Sequence, residues 1–365
     1  MVIEHLAREF GFGYLARPNP GWFKKAGNLR YGYERTSGEF VVIFDADFCP
    51  RADFLQELMP YFGEPTVGIV QSPQHFNVHK GQNWLERGAG SVQEFFYRVV
   101  QTSRQSRNGA ICVGTNAIYR RAALDSNGGT TLIEHSEDVH TGFDLRRNGW
   151  DVRYVPLNLA TGLCPSELSA FFRQQYRWCM GSMSLLLSRK FWDTRLPLRT
   201  RLCYLSGFFY YLQTALFTFV APAIPLVMLY AFPGRVRLAN YVVLIPALVF
   251  TLVVFPLWHR CRYGPEVWSV KLVYGWAHAF ALLDTLRGRG MAWEPTGNIG
   301  GDSNRRFRLF KVGMAVWCGG AGLAWIIGAA FRLGSMDDVN FVPILLLGLF
   351  YCLAVGRVLF VPTTE

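Results

Sequence analysis

Past Arg201 the chain carries four apolar stretches, near residues 204–232, 241–258, 309–331 and 341–361. Each approaches the ~20 residues that a helix needs to cross a hydrocarbon core of ~30 Å. Four transmembrane helices are the simplest count. Read instead as buried core helices, the same stretches leave too little polar surface for the rest of the chain. The second is short and contains Pro246 and Pro256, so its ends are the least defined. Most of the acidic residues lie in residues 1–200, so a soluble part precedes the membrane part.

The formal charge of +11 raises the question of a nucleic-acid partner, and the placement of the basic residues answers against one. Arg260, Arg262, Lys271, Arg287, Arg289, Arg305, Arg306 and Arg308 fall between the second and third stretches, with Lys311 at the start of the third. The other two connections offer Arg235 and Arg237, then Arg332 beside Asp337 and Asp338. The basic loop is therefore expected on the cytoplasmic side. Crossing parity then puts the soluble part and the C-terminus on that side too. The eight cysteines, Cys49, Cys112, Cys164, Cys179, Cys203, Cys261, Cys318 and Cys352, form no C-x-x-C and no Cys/His cluster, which gives neither a zinc site nor a disulfide framework any support. The N-terminus has no basic start followed by an apolar core, hence no signal peptide is read there and insertion is left to the later helices.

In the soluble part, residues 2–9 resemble the tail of a helix, which Gly11 and Gly13 break. Gly38 leads into the apolar run Phe40-Val41-Val42-Ile43-Phe44, a buried strand that ends in acids. A second buried strand at Val67–Gln71, a short apolar run at Ile111–Val113 and a helix near 137–148 closed by Asn148-Gly149 continue an α/β pattern.

Ligands of open α/β sheets sit beyond the carboxyl ends of the strands, which places Asp45 and Asp47 for chemistry. Acids two apart on a strand point to one side, and two carboxylates offer hard oxygens to Mg²⁺ or Mn²⁺. Taken alone, such a pair also fits a solvated turn or a cap. His135-Ser136-Glu137-Asp138 opens an amphipathic stretch, with Ser136 expected as N-cap and both acids in the first turn. Capping explains these acids, and so does a general base at Asp138; spacing does not choose. Ser166 to Trp178 reads as an aromatic-rich helix lying in the membrane interface. Gln174, Arg177 and Trp178, spaced i, i+3, i+4, share one face and bring an amide, a cation and a flat indole together. That face suits a sugar ring, and equally an interfacial Trp with a snorkelling Arg.

In this order, before transmembrane helices, Asp45-Ala46-Asp47, Ser136-Glu137-Asp138 and Gln174-x-x-Arg177-Trp178 resemble family-2 glycosyltransferases, specifically bacterial cellulose synthases and their relatives. The resemblance implies that Asp45 and Asp47 hold the metal and the donor diphosphate, and that Asp138, in a T-E-D motif whose Thr is here Ser136, is the catalytic base. It implies that Gln174 and Trp178 line the acceptor site and Arg177 the donor pocket. Lys25, in Lys25-Ala26-Gly27-Asn28-Leu29, would lie at the donor. Gly114, in Val113-Gly114-Thr115-Asn116-Ala117, would lie with Glu137 under the acceptor sugar.

The expected fold is thus α/β: a partial GT-A-type, Rossmann-like domain over residues 1–165, followed by an α-helical transmembrane domain. Interfacial amphipathic helices carrying Q-x-x-R-W are expected over 166–203. The membrane domain spans 204–365, with an amphipathic interface helix at about 263–287 and a gating loop, both within about 259–308. The expected activity is transfer of sugar from a nucleotide sugar, a UDP-sugar, to a growing β-linked polysaccharide at the plasma membrane, with accessory secretion subunits possible as partners. Alternatives are a chitin-like, hyaluronan-like or mixed-linkage product, or a non-catalytic membrane subunit. The chain departs from the family in several places. Trp293-Glu294-Pro295-Thr296-Gly297 stands where cellulose synthases have F-x-V-T-x-K, and the chain stops at Glu365 without a cyclic-dinucleotide-binding domain. The strand bearing the D-x-D is the first strong one, so an N-terminally truncated form is expected, lacking an early βαβ unit and the helices that precede it.

Overall fold

The computed structural model describes residues 2–258, 263–289, 301–336 and 339–363; Trp293–Gly297 of the expected gating loop lie outside them. The N-terminal half, called the catalytic half for its expected role, is built on a four-stranded sheet in the order β1 (Phe40–Ile43), β5 (Ala117–Arg120), β3 (Val67–Gln71), β6 (Asp151–Tyr154). β5 runs antiparallel to both β1 and β3, and β3 runs parallel to β6. The carboxyl ends of β1, β3 and β6 and the start of β5 therefore meet at one edge, where Ile43 and Gln71 both register with Ala117. A smaller sheet of β2 (Phe48–Pro50), β7 (Ala160–Gly162) and β4 (His75–Phe76) closes beside it. β3 is buried at all five positions, as expected for a strand covered on both faces. Gly68 within it is required, because a Cβ there would lie 2.9 Å from the Trp150 side chain.

The run Ile111–Val113 is not a strand; the strand begins six residues later, at Ala117. Glutamine side chains take the place of a ladder. Gln71 Nε2 and Gln101 Nε2 donate to the Ile111 carbonyl at 2.6 and 2.8 Å, the Val113 N–H donates to Gln71 Oε1 at 3.0 Å, and Gln74 Nε2 donates to the Val113 carbonyl at 2.7 Å. Buried backbone groups are thereby satisfied without a neighbouring strand.

Among the described residues, four helices are long and apolar enough to cross a membrane: Leu198–Tyr230, Leu238–Trp258, Arg305–Gly334 and Val339–Phe360. In the first, Pro222 has no N–H to offer the Thr218 carbonyl. Trp317 Nε1 of the third supplies that donor at 3.1 Å, as the absence of water in a bilayer demands. The second span stands apart, with 6% of its apolar window buried against 39% in the third. Its ends are held by Phe95, whose ring meets Phe255, and by Asn340, whose Oδ1 accepts from the Leu238 N–H at 2.6 Å.

Between the catalytic half and the spans lie two long helices, Leu168–Leu186 and Glu266–Leu286. Each buries 13 of its residues; the second is apolar on most sides rather than amphipathic. Phe171 and Phe172 of the first are at 0% and 1% exposure, each contributing roughly 1.5–3 kcal/mol by burial. After the fourth span the chain returns to the catalytic half, where Asn83 Nδ2 donates to the Thr363 carbonyl at 2.6 Å. Arg87 pairs with Glu266 at 3.4 Å, tying the connection after the second span to the same half.

Candidate active site

The acids that follow β1 are not placed by strand alternation. The strand ends at Ile43, and the chain turns at Ala46-Asp47, with the Phe48 N–H donating to the Asp45 carbonyl at 3.0 Å. The Asp45 N–H donates to Thr115 Oγ1 at 2.8 Å, which fixes this turn to the start of β5. Asp45 is half-buried and Asp47 exposed. Loss of hydration, then the neighbouring Asp45 charge, hold the Asp47 carboxyl above its ordinary range.

Lys25 joins the acids from opposite sides. Its Nζ lies 2.5 Å from Asp45 Oδ1 and 3.7 Å from Glu137 Oε1, and donates to the Gly114 carbonyl at 3.1 Å. Burial lowers its pKa, but the charges of Glu137 and Asp45 outweigh that and the ammonium is held more firmly than in water. The lysine is aimed by its own segment. Phe23 and Lys24 take left-handed backbone angles, and Arg17 clasps the turn by donating to the carbonyls of Pro20 at 2.6 Å, Lys24 at 2.8 Å and Trp22. Gly27 lets this clasp close, since a Cβ there would sit 2.2 Å from the Arg17 guanidinium.

Helix Glu137–Arg147 begins at Ser136, and Ser136 does not cap it. Its backbone is left-handed, at φ 54°, and its side chain makes no capping bond. It packs on Gly181 instead, where a Cβ would lie 2.3 Å from Ser136 Cβ. Two more contacts continue this stripe at four-residue steps: His140 Nε2 with Ser184 Oγ at 2.8 Å, and Asp144 with Lys190 at 2.9 Å. The helix carrying Gln174, Arg177 and Trp178 is thereby set in register against the helix carrying Glu137 and Asp138. Gly181 and the 136/140/144 spacing were the sequence signal for this; the capping reading of Ser136 hid it.

Glu137 is buried; Asp138 keeps some opening to solvent. Desolvation first and the Glu137 charge second push the Asp138 carboxyl up to about 7, against the opposing pull of Lys25 and of the Val139 N–H, which donates to Oδ1 at 2.8 Å. Gly114, at φ +76°, sits against it, and a Cβ there would lie 2.8 Å from Asp138 Oδ2. Glu137 is likewise held above its ordinary range by burial, with Lys25 opposing.

Gln174, Arg177 and Trp178 form the half-buried face of a helix whose neighbours Arg173, Gln175, Tyr176 and Cys179 are buried. Burial, then the Arg173 charge, lower the Arg177 guanidinium to about 10. His135 lies within range of Arg177: burial and the Arg177 charge hold its imidazole below its ordinary value. The structure thus gathers Lys25, Asp45, Gly114, Glu137 and Asp138 in one contact cluster; the helix bearing Gln174, Arg177 and Trp178 meets the residues just before it, through Gly181 on Ser136 and the Arg177 charge on His135. Thr115 and Gln71 were missed by sequence reasoning; a polar residue ending the fully apolar run of β3 was the signal for Gln71.

Asp45 and Asp47 fit a divalent cation in donor chemistry: hard oxygens, one open to solvent and short of a counter-charge. Among the described residues no three His, Cys, Asp or Glu side chains form a metal cage, so such a cation would need further oxygens from a ligand.

Cellulose synthase 1 of Komagataeibacter xylinus is 34% identical over 206 residues, covering 55% of this chain and 13% of that protein. The cellulose synthase catalytic subunit [UDP-forming] of Xanthomonas axonopodis pv. citri is 33% identical over 213 residues, covering 55% and 29%. The chain thus spans less than a third of the length of these relatives. Among solved structures, the mannosyltransferase PcManGT from Pyrobaculum calidifontis, in complex with GDP-Man and Mn²⁺, matches 79% of this chain and 74% of its own. The TM-score is 0.51 at 19% identity, a likeness of fold, and it agrees with a GT-A-type α/β domain. The family model for glycosyl transferase family group 2 matches residues 40–254, over half the chain and all of the site except Lys25, so the chain belongs to that family, as a cellulose-synthase-like member.

Proposed function

We propose that this protein is a membrane-bound inverting glycosyltransferase that extends a β-linked glycan from a nucleotide sugar, with a UDP-sugar, and glucose foremost, as donor. The observation that carries the reading is Asp138. Its carboxyl is raised to about 7 by desolvation and by Glu137, and it lies against Gly114. A base of that affinity is half ionised near neutral pH and matched to taking a proton from an alcohol as it attacks.

In this mechanism Asp138 accepts the proton of an acceptor hydroxyl, O4 for a cellulose-like product. The hydroxyl oxygen forms a bond to the anomeric carbon as the bond from that carbon to the diphosphate breaks, which inverts an α-linked donor to a β-linkage. Asp45 and Asp47 would hold Mg²⁺ or Mn²⁺, which when bound would supply positive charge to offset that of the departing diphosphate. Lys25 sits between Asp45 and Glu137 and would share in holding the donor. Gln174 and Trp178 would seat the terminal sugar with Gly114 and Glu137 beneath it, and Arg177 would face the donor. The spans would carry the polymer through the plasma membrane, with the catalytic half cytoplasmic. Contacts of both the 266–286 helix and Thr363 with that half support this topology.

None of these groups reads the donor's C2 substituent, so a chitin-like, hyaluronan-like or mixed-linkage product is the second reading. Membranes from cells expressing the complete gene, supplied separately with UDP-glucose, UDP-N-acetylglucosamine and UDP-glucuronate, decide between them by linkage analysis of the product. A β-1,4-glucan formed from UDP-glucose is expected. No polymer from any nucleotide sugar would overturn the enzymatic reading and leave the non-catalytic subunit.

A further inference from the structure

Tyr176 lies inside the Gln174-x-x-Arg177-Trp178 segment and is wholly buried. At about 100° per residue it projects roughly 200° away from both Gln174 and Trp178, so it holds the back of the helix whose front they form. Its hydroxyl donates to Asp284 Oδ2 at 2.7 Å. The same oxygen receives the Arg306 guanidinium, which also donates to the Tyr176 hydroxyl at 3.1 Å and lies 5.8 Å from the ring centre. Asp284 belongs to the last turns of the 266–286 helix and is 7% exposed, and Arg306 opens the third span. One carboxylate oxygen therefore pins three helices: the one facing the site, the one packed beneath it, and a membrane span. Beside it, Thr285 Oγ1 donates to Met180 Sδ at 3.0 Å, a second tie between the first two helices.

We propose that Asp284 is a positioning residue for transfer: with Tyr176 and Arg306 it fixes the rotation and axial position of the helix that presents Gln174 and Trp178 to the acceptor. The proposal rests on the acceptor role assigned to that face above. Apolar packing alone leaves a helix able to rotate or slide among similar arrangements, whereas a buried hydroxyl–carboxylate–guanidinium set is satisfied in only one. Of the groups proposed to hold the donor, Lys25 and Asp45 lie off this helix and only Arg177 rides on it. Loss of the pin should therefore be felt at the acceptor end.

Tyr176→Phe removes one hydroxyl and no volume from the core, and Asp284→Asn keeps the shape while removing the charge. Both are compared with the parent in nanodiscs, by hydrogen exchange of the amides at 174–181 and by donor KM and product length. The expected result for Tyr176→Phe is exchange faster by about tenfold or more, the effect of losing a hydrogen bond to a charged group. It comes with severalfold shorter polymer at a donor KM within twofold of the parent. Asp284→Asn should act in the same direction and more strongly. Unchanged exchange at 174–181 in Tyr176→Phe overturns the pin. Faster exchange with unchanged product length overturns the positioning role, as does a rise in donor KM that matches the loss of turnover. A parent that makes no polymer would sink the acceptor reading instead, and the exchange comparison would still decide the pin.

Discussion

Two pairs of acids face each other across Lys25, and they differ in exposure and in the element that carries them. Asp45 and Asp47 occupy an open turn at a strand end, with Asp47 on the surface, its carboxyl raised by partial loss of hydration, and Asp45 paired with the lysine. Glu137 and Asp138 open a helix, desolvated, with each carboxyl raised. The open pair can bind and release a hydrated cation; the recessed pair holds a proton near neutrality and can exchange it with a hydroxyl. On the proposed reading, the same kind of side chain would take a charge-binding or a proton-moving task according to its surroundings.

The largest effect should come from Asp138→Asn, which keeps the shape and loses the proton-accepting charge. Transfer should fall by at least about 100-fold, measured as label incorporated from the nucleotide sugar, and turnover within tenfold of the parent would remove Asp138 from the base role. Asp45→Asn or Asp47→Asn should raise the Mn²⁺ or Mg²⁺ concentration required for half-maximal rate by at least about tenfold. An unchanged metal requirement with both replaced would erase the contrast between the pairs.

Trp178→Ala should shorten the polymer by threefold to tenfold, on the order of a lost stacking contact, while insertion into the membrane is retained. Lost insertion with unchanged activity per inserted molecule would make Trp178 an anchor instead. The smallest effect sharpens the comparison. Asp138 must be ionised to act, so kcat/KM should fall as pH drops through about 7. Removing the like charge in Glu137→Gln favours ionisation of Asp138 and should move that acid limb down by about one unit. Removing the ammonium in Lys25→Met should move it up.

Much of this was legible because it rests on composition over long windows. The four spans were expected near 204–232, 241–258, 309–331 and 341–361 and are observed within a few residues of those limits, at Leu198–Tyr230, Leu238–Trp258, Arg305–Gly334 and Val339–Phe360. The helix at 137–147 and the strand at 67–71 likewise follow from periodicity and burial. What was not legible depends on one distant partner at a time. Ile111–Val113 has the composition of a strand, but the amides of Gln71, Gln74 and Gln101 take its backbone groups first. Ser136 has the chemistry of a cap, but Gly181 leaves room for it to pack elsewhere. Tyr176 reads as one more apolar position of a helix; its partners lie 108 and 130 residues away.

The division of labour between the two acid pairs is tested most directly by donor binding without turnover. UDP affinity is measured by calorimetry in the presence of Mn²⁺ on the protein from its complete gene, for the parent, Asp138→Asn and Asp45→Asn. The account predicts that Asp138→Asn binds within about threefold of the parent while making no product, and that Asp45→Asn binds at least about tenfold more weakly. Equal losses of affinity in the two variants, or full affinity in Asp45→Asn, would contradict it.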